Sequence, residues 1–395
     1  MGTDKNAINL GIGNPMKITS KLQNVGLTIF SVMTGLANEH GAINLSQGFP
    51  DLDVHPDLIA LVEKHMRAGH NQYAPMHGVA ALRERIAEKC ALLYGAKVDP
   101  EREVTVTTGA TEALFAAITA VVRPGDEVIV FEPAFDSYVP AIELAGGVPV
   151  YVKLEHPDYA IDWERVANSV TPRTRLMILN SPHNPTGATL TAGDMERLSA
   201  IAEGGDFMIL SDEVYEHIIF DGRAHASIAR YPELFRRSFV VSSFGKTYHT
   251  TGWKVGYCLA PPPLTAELRK VHQYVNFATS TPVQHAYAEF MEDRAVYEEL
   301  PAFYQEKRDL FLSLIRDSRF KPLPCGGTFF LMLDYADISD APDTEFAREL
   351  TTVHGVAAIP PSVFHHDGED RRILRFCFAK RDDTLRQAAE RLCAI

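Results

Sequence analysis

Residues 242–257 read SSFGKTYHTTGWKVGY, and the fold turns on how that stretch divides. Apolar β-formers end at Ser242–Ser243, a tight Phe-Gly pair follows, Lys246 stands just beyond, and Lys254 leads into a second apolar run. A lysine at a strand end, in a loop rich in Gly, Ser and Thr, has the setting of a Schiff-base nucleophile. Burial there lowers its pKa and frees the amine to attack a carbonyl. An isolated loop lysine is ordinarily solvated, so the reading depends on the segments around it.

Those segments alternate. Strands are predicted at EVTVTT (103–108), EVIVFE (127–132), VPVYVKL (148–154), RLMILN (175–180), FMILS (207–211), SFVVSS (238–243) and KVGYCLA (254–260). Several are continuous apolar runs, as strands covered on both faces require. Helical patterns lie between many of them, such as TEALFAAITAVV (111–122) and AGDMERLSAIAE (192–203). The alternation predicts an α/β fold, a mostly parallel sheet between helices. Beyond residue 262 the pattern changes to long helices (264–290 and 293–317), a strand GTFFLMLD (327–334), a helix (344–353), strands at VAAIP (356–360) and ILRFCFA (373–379), and a last helix (382–393). That is a smaller α+β unit. The expected domains are an arm at 1–22, a contribution of 23–45 to the small domain, a large domain at 46–290 and a small C-terminal domain at 291–395, with the change inside a long helix near 285–300.

The chain has 395 residues, 46% apolar and 23% charged, the balance of a globular protein with a large core. Lys and Arg number 38 against 51 Asp and Glu, a net charge of −13. Nucleic-acid binding needs concentrated positive charge, so no such partner is expected. No apolar run is long enough to span a bilayer. The start, MGTDKNAINLGIGNP, lacks the pattern of a secretory signal, and Asn6 stands where myristoylation wants Ser or Thr. Cys90, Cys258, Cys325, Cys377 and Cys393 are an odd set with no CxxC, read as reduced core thiols of a cytoplasmic protein.

Three further segments join Lys246. FMILSDEVY puts Asp212 at the carboxyl end of an apolar strand, where open α/β sheets bind ligands. LNSPHNPTG does the same for Asn184. In TTGATEAL a strand runs into a helix, whose free N–H groups near Ala110 and Thr111 form an anion site. Each alone could be turn chemistry. Together they describe one cofactor: a phosphate held by Ala110, Thr111, Ser243 and Lys254, a pyridinium nitrogen facing Asp212, a phenolate oxygen taking bonds from Asn184 and Tyr215, and an aldehyde joined to Lys246. That cofactor is pyridoxal 5′-phosphate.

In these motifs the chain resembles the class I aminotransferases of pyridoxal-phosphate fold type I, from about residue 25 to the end. NLSQGFPD (44–51), NQYAP (71–75), GATEAL, EPAFDSY (132–138), SPHNPTG, SDEVYEH (211–217) and RFCFAK (375–380) recur in order. SVMTGLANEHGAINLSQGFPD and SSFGKTYHTTGWKVGYC are most similar to the bacterial methionine aminotransferases and the kynurenine aminotransferase and glutamine transaminase K group. The resemblance implies amino acid and 2-oxo acid substrates and a large domain that binds the cofactor. Lys246 is then the Schiff-base lysine and proton shuttle, Phe135 stacks on the ring, and Arg375 clamps the substrate α-carboxylate with help from the Gly48 N–H and Asn184. Tyr73 is expected to reach the phosphate of a partner subunit in a homodimer with shared sites. Many relatives carry arginine where Lys254 stands. The implied pocket walls, Phe30, Tyr73 and Phe277, are aromatic and hold no second cation, which favours methionine and aromatic amino acids over aspartate. A cysteine-S-conjugate or carbon–sulfur β-lyase on the same cofactor is the alternative.

Other motifs lead elsewhere. Ser243-Phe-Gly-Lys246 fits S-x-x-K, but the companion S-D-N and K-T-G elements are missing. His365-His366-Asp367 reads as a solvated loop rather than a metal site, and no metal is expected. Asn44-Leu45-Ser46 is a formal glycosylation sequon inside an apolar strand. His183 and His249 flank site motifs and could shape the pocket or bond locally.

Overall fold

A computed structural model describes residues 7–8, 16–23 and 25–395, so much of the expected 1–22 arm lies outside the described residues. The large sheet has seven strands: β1 (Val104–Thr107), β2 (Glu127–Glu132), β3 (Val148–Lys153), β4 (Thr174–Asn180), β5 (Met208–Asp212), β6 (Ser238–Ser243) and β7 (Gly256–Leu259). Their order across the sheet is β1-β7-β6-β5-β4-β2-β3. Only β7 runs against the rest, antiparallel to both β1 and β6.

The sequence of β2 explains why it is covered on both faces. Successive residues of a strand face opposite sides, and both sides of β2 are apolar. Ile129 and Phe131 join a core with Leu82, Ile86 and Met177, while Val128 and Val130 join another with Ala117, Ile118 and Leu210. Helix Gly109–Val121 covers the second face and helix Ala80–Tyr94 the first.

A third core surrounds a small antiparallel sheet, β8 (Lys321–Pro322), β9 (Phe330–Asp334) and β10 (Ile373–Cys377), with Phe329, Phe346, Phe376 and Phe378. Met33 of helix Ile29–His40 joins that core, and Ile43–Asn44 pairs in parallel with Val356–Ala357.

The two long helices expected after residue 262 are each broken. The first is two helices, Pro262–Val275 and Thr281–Phe290. Phe277 between them takes a left-handed φ of 73°, and Pro282 opens the second helix because its ring would clash inside a continuous one. The second is Ala295–Glu298 followed by Leu300–Leu314, again restarted at a proline, Pro301.

The antiparallel β7 has one consequence for function. Its first residue, Gly256, pairs with Ser243 on one side and Thr107 on the other. The loop entering β7 therefore meets the loops leaving β1 and β6 at one sheet edge, the edge where β2, β4 and β5 also end.

Candidate active site

Every expected site residue except Tyr73 and Phe277 lines one cavity of about 330 Å³ at that edge: Phe30, Gly48, Ala110, Thr111, Phe135, Asn184, Asp212, Tyr215, Ser243, Lys246, Lys254 and Arg375.

Lys246 lies in the single helical turn Phe244–Thr247 that follows β6. Its Nζ donates to Gly48 O at 2.6 Å and sits 5.6 Å from the centre of the Tyr215 ring. The side chain keeps some accessible area because its tip opens on the cavity, but protein crowds the amine. Burial, assisted by the positive Arg375 and Lys254 and opposed by Cys377 and Asp212, lowers its pKa to about 8. Gly48 is presented by a turn in which Asn44 Oδ1 accepts from Ser46 N at 3.0 Å and Ser46 Oγ at 2.7 Å. The sequon is thus an Asx-turn closed on itself.

Asp212 ends β5, nearly fully buried. Its Oδ2 accepts from the Tyr138 hydroxyl at 2.6 Å and its Oδ1 from Val214 N at 3.3 Å. Burial raises its pKa to about 6, against the pull of those bonds and of Lys246. A carboxylate kept partly neutral by desolvation is one that gains most from a cation placed beside it.

Helix Gly109–Val121 has no side-chain cap, so its first N–H groups are open to the cavity edge. Gly109 turns with φ 73°, and Lys254 is itself left-handed at φ 53°. Gly256 must be glycine here: a Cβ would stand 2.8 Å from Ala110 N and 2.7 Å from Ser242 O. An uncapped helix start, the Thr111 and Ser243 hydroxyls and the Lys254 ammonium together suit a phosphate.

Arg375, on β10, is fully buried. Its Nη1 donates to Asn184 Oδ1 and its Nη2 to Ser46 O, each at 2.8 Å, while its buried Nε has no partner among the described residues. The guanidinium lies over Phe330, 3.9 Å from the ring centre. Burial brings its pKa down to about 10, still a cation at neutral pH. A buried guanidinium with a donor unfilled at a cavity wall suits a carboxylate.

Sequence reasoning missed residues that hold these groups in place. Tyr138 closes the EPAFDSY motif but gave no sign of its bond to Asp212. Asn180 Oδ1 accepts from Asn184 N at 2.8 Å and Asn180 Nδ2 donates to Asp212 O at 3.0 Å, tying two site loops together. A polar residue ending an apolar strand was the available signal. Behind Tyr215, buried Glu216 accepts from Lys89 Nζ at 2.7 Å and Tyr257 OH at 2.8 Å. Burial opposes its charge, but Lys89 and His217 outweigh that and hold its pKa down.

Tyr73 lies outside the cavity, 84% exposed, edge-on to Phe277 at 5.5 Å. His183 bonds Thr186 within its own loop at 2.8 Å, and burial lowers its pKa to about 3. His249 packs on Phe303 and Tyr304. Neither lines the cavity. The loop at His365-His366-Asp367, expected to be solvated, is anchored instead: His366 stacks on Tyr151 at 4.1 Å and bonds buried Glu132 at 2.8 Å. Glu132 precedes the Phe135 loop, so an interior carboxylate needed that partner.

The profile of aminotransferase class I and II matches residues 40–392. The chain belongs to this aminotransferase family. It is 51% identical to the methionine aminotransferase of Escherichia coli (strain K12), over 96% of this chain and 98% of that one. It is 34% identical to the kynurenine–oxoglutarate transaminase of Dictyostelium discoideum, over 96% and 95% respectively. A solved structure of an Escherichia coli protein, YbdL, identified with a methionine aminotransferase function, superposes with a TM-score of 0.95 at 50% identity, covering 96% of this chain and all of the other. This aminotransferase has the type I fold and uses pyridoxal phosphate to move an amino group from an amino acid to a 2-oxo acid. The uncapped helix start, the Gly256 contact and the unfilled Arg375 Nε are the observations of this structure that fit that cofactor and its substrates.

Proposed function

We propose that this aminotransferase prefers methionine and aromatic amino acids as donors. The observation that carries the reading is the set of charges at the cavity wall. Its cations are Lys246, Lys254 and Arg375, and Phe30, Phe49 and Phe330 supply the apolar surface. With Lys246 and Lys254 assigned to the cofactor, Arg375 alone among the described residues remains for the α-carboxylate. A second substrate carboxylate would be desolvated without a partner, whereas a thioether or a flat ring gains from aromatic walls.

Pyridoxal phosphate, when bound, supplies an aldehyde and a protonated ring that accepts electrons from the substrate Cα. The cavity's lining supports the following division of roles. Lys246 Nζ is the amine placed to hold the cofactor's aldehyde end and would serve as the base and acid for the substrate Cα proton. A pKa near 8 leaves an appreciable fraction of that amine neutral at physiological pH. Asp212 would keep the ring nitrogen protonated, Asn184 and Tyr215 would donate to the ring oxygen, Phe135 would cover the ring, and Ala110, Thr111, Ser243 and Lys254 would hold the phosphate. Arg375 and the Gly48 N–H orient the substrate carboxylate.

We read the active unit as a cytoplasmic homodimer with shared sites. The exposed Tyr73–Phe277 pair supports a partner at that surface, and all five cysteines are free. No described helix is long and apolar enough to cross a membrane. The separate apolar core around β8–β10 supports a small domain of 23–45 with 291–395 beside the large domain of 46–290.

The test is kcat/KM across methionine, phenylalanine, tyrosine, kynurenine, glutamine and aspartate with one common 2-oxo acid. Methionine and phenylalanine should lead aspartate by at least ~30-fold, the equivalent of about 2 kcal/mol for one unpaired polar group. Aspartate in the lead would end this reading. Pyruvate and ammonia released from cysteine conjugates faster than transamination would favour the lyase instead.

A further inference from the structure

We propose that His65, His70 and His285 form a binding site for one divalent transition-metal ion of the zinc class, outside the catalytic cavity. His65 is in the last turn of helix Pro56–Arg67, His70 is in the loop just beyond, and His285 is on helix Thr281–Phe290. Each offers a ring nitrogen, and the three nitrogens lie within 4.8 Å of one another. The His285 ring stacks on His65 at 5.2 Å and lies tilted by 35° against His70 at 4.0 Å.

Two features distinguish this cluster from packed imidazoles. His65 Nε2 is 3.2 Å from Glu289 Oε2, while His65 Nδ1 is buried with no partner. A carboxylate on one ring nitrogen is the arrangement that orients the other toward a metal. Lys64 Nζ binds the same Glu289 carboxylate at 2.6 Å, which fixes the carboxylate against the ring. Three imidazole nitrogens and a water would complete a tetrahedral zinc-type shell. The one other cluster of this kind among the described residues, His365 with Asp367 and Glu369, already has its cation. Lys153 Nζ lies 2.6 Å from Asp367 Oδ2 and 2.5 Å from Glu369 Oε2. The sequence hid the three-histidine site because His285 is far downstream of the other two. An ion there would join two helices and the loop that leads to Tyr73.

The experiment titrates chelator-treated holoenzyme with Co²⁺ and follows its visible d–d absorption, which lies to the red of the pyridoxal bands. The expected result is one saturating equivalent with the intensity of a tetrahedral site, bleached by Zn²⁺. The band should be lost in His285→Ala and in His70→Gln. Affinity should fall about 10- to 100-fold in Glu289→Gln, the usual effect of removing such a supporting carboxylate. His70 sits in a loop, so His70→Gln decides the matter if His285→Ala does not fold. Absence of a saturable band in the wild type, or an unchanged band in His70→Gln, would overturn the proposal.

Discussion

Replacing Asp212 by asparagine should make the cofactor-free protein more stable while crippling the enzyme. In the folded chain burial lifts the Asp212 pKa from 3.8 to about 6. The shift is about 2 units, and each unit corresponds to about 1.36 kcal/mol, so the ionised carboxylate costs the empty site roughly 3 kcal/mol. The sign follows from linkage. The folded state holds the proton more tightly than the unfolded chain, so stability is highest below the unfolded pKa and is lost as pH rises through about 6. Asp212→Asn mimics the neutral form and can still take the Tyr138 hydroxyl bond, so it avoids that loss. Unfolding entropy of about 2.1 cal/mol/K per residue amounts to roughly 0.8 kcal/mol/K for this chain, so ~3 kcal/mol corresponds to about 3–4 °C. The assay is thermal melting of apoenzyme at matched protein concentration from pH 4 to 8. The variant should melt about 3–4 °C higher at pH 7.5, and the gap should close toward pH 4. A wild type that is equally stable at pH 7.5, or a gap independent of pH, would refute the reasoning. The holoenzyme should behave oppositely, with slower Cα deprotonation, because the ring nitrogen has lost its counter-charge.

Three other outcomes are expected. Borohydride reduction followed by peptide mapping should label Lys246, and Lys246→Ala should lose turnover by many orders of magnitude; a label on another lysine would displace it. Recombination of apoenzyme with the cofactor aldehyde should quicken with pH and level off above about 8, where Lys246 becomes neutral; a midpoint near 10.5, the ordinary lysine value, would contradict its burial. Arg375→Lys, which cannot reproduce the bonds to Asn184 and Ser46 together, should cut kcat/KM for every amino acid by ~10²-fold, about 2.7 kcal/mol, and a loss confined to one substrate class would argue against an α-carboxylate role.

Strand and helix identities were readable from local sequence because alternation and apolar runs are short-range signals, set by which side chains a few neighbouring residues can bury together. All seven strands of the large sheet and the helix after β1 appear within a few residues of their expected places. Residues that gather at the cavity were readable as well, since Asp212 ends an apolar strand and Asn184 and Lys246 follow one, and polar residues at such ends announce themselves. The helix breaks were half-legible: Pro282 and Pro301 were visible, but the left-handed turn at Phe277 was not.

The order of the strands, and with it the meeting of distant residues, was decided only in three dimensions. Nothing near residue 256 says that β7 lies between β1 and β6, yet that placement brings Lys254 to the helix start at Ala110 and demands glycine at 256. Tyr138 reaches Asp212, Arg375 reaches Asn184 and Ser46, and His285 joins His65 and His70, each across long stretches of chain. The pKa values of Lys246 and Asp212 belong to the same class of property. Desolvation depends on everything packed around a group, and its sequence neighbours are a minor part of that surrounding.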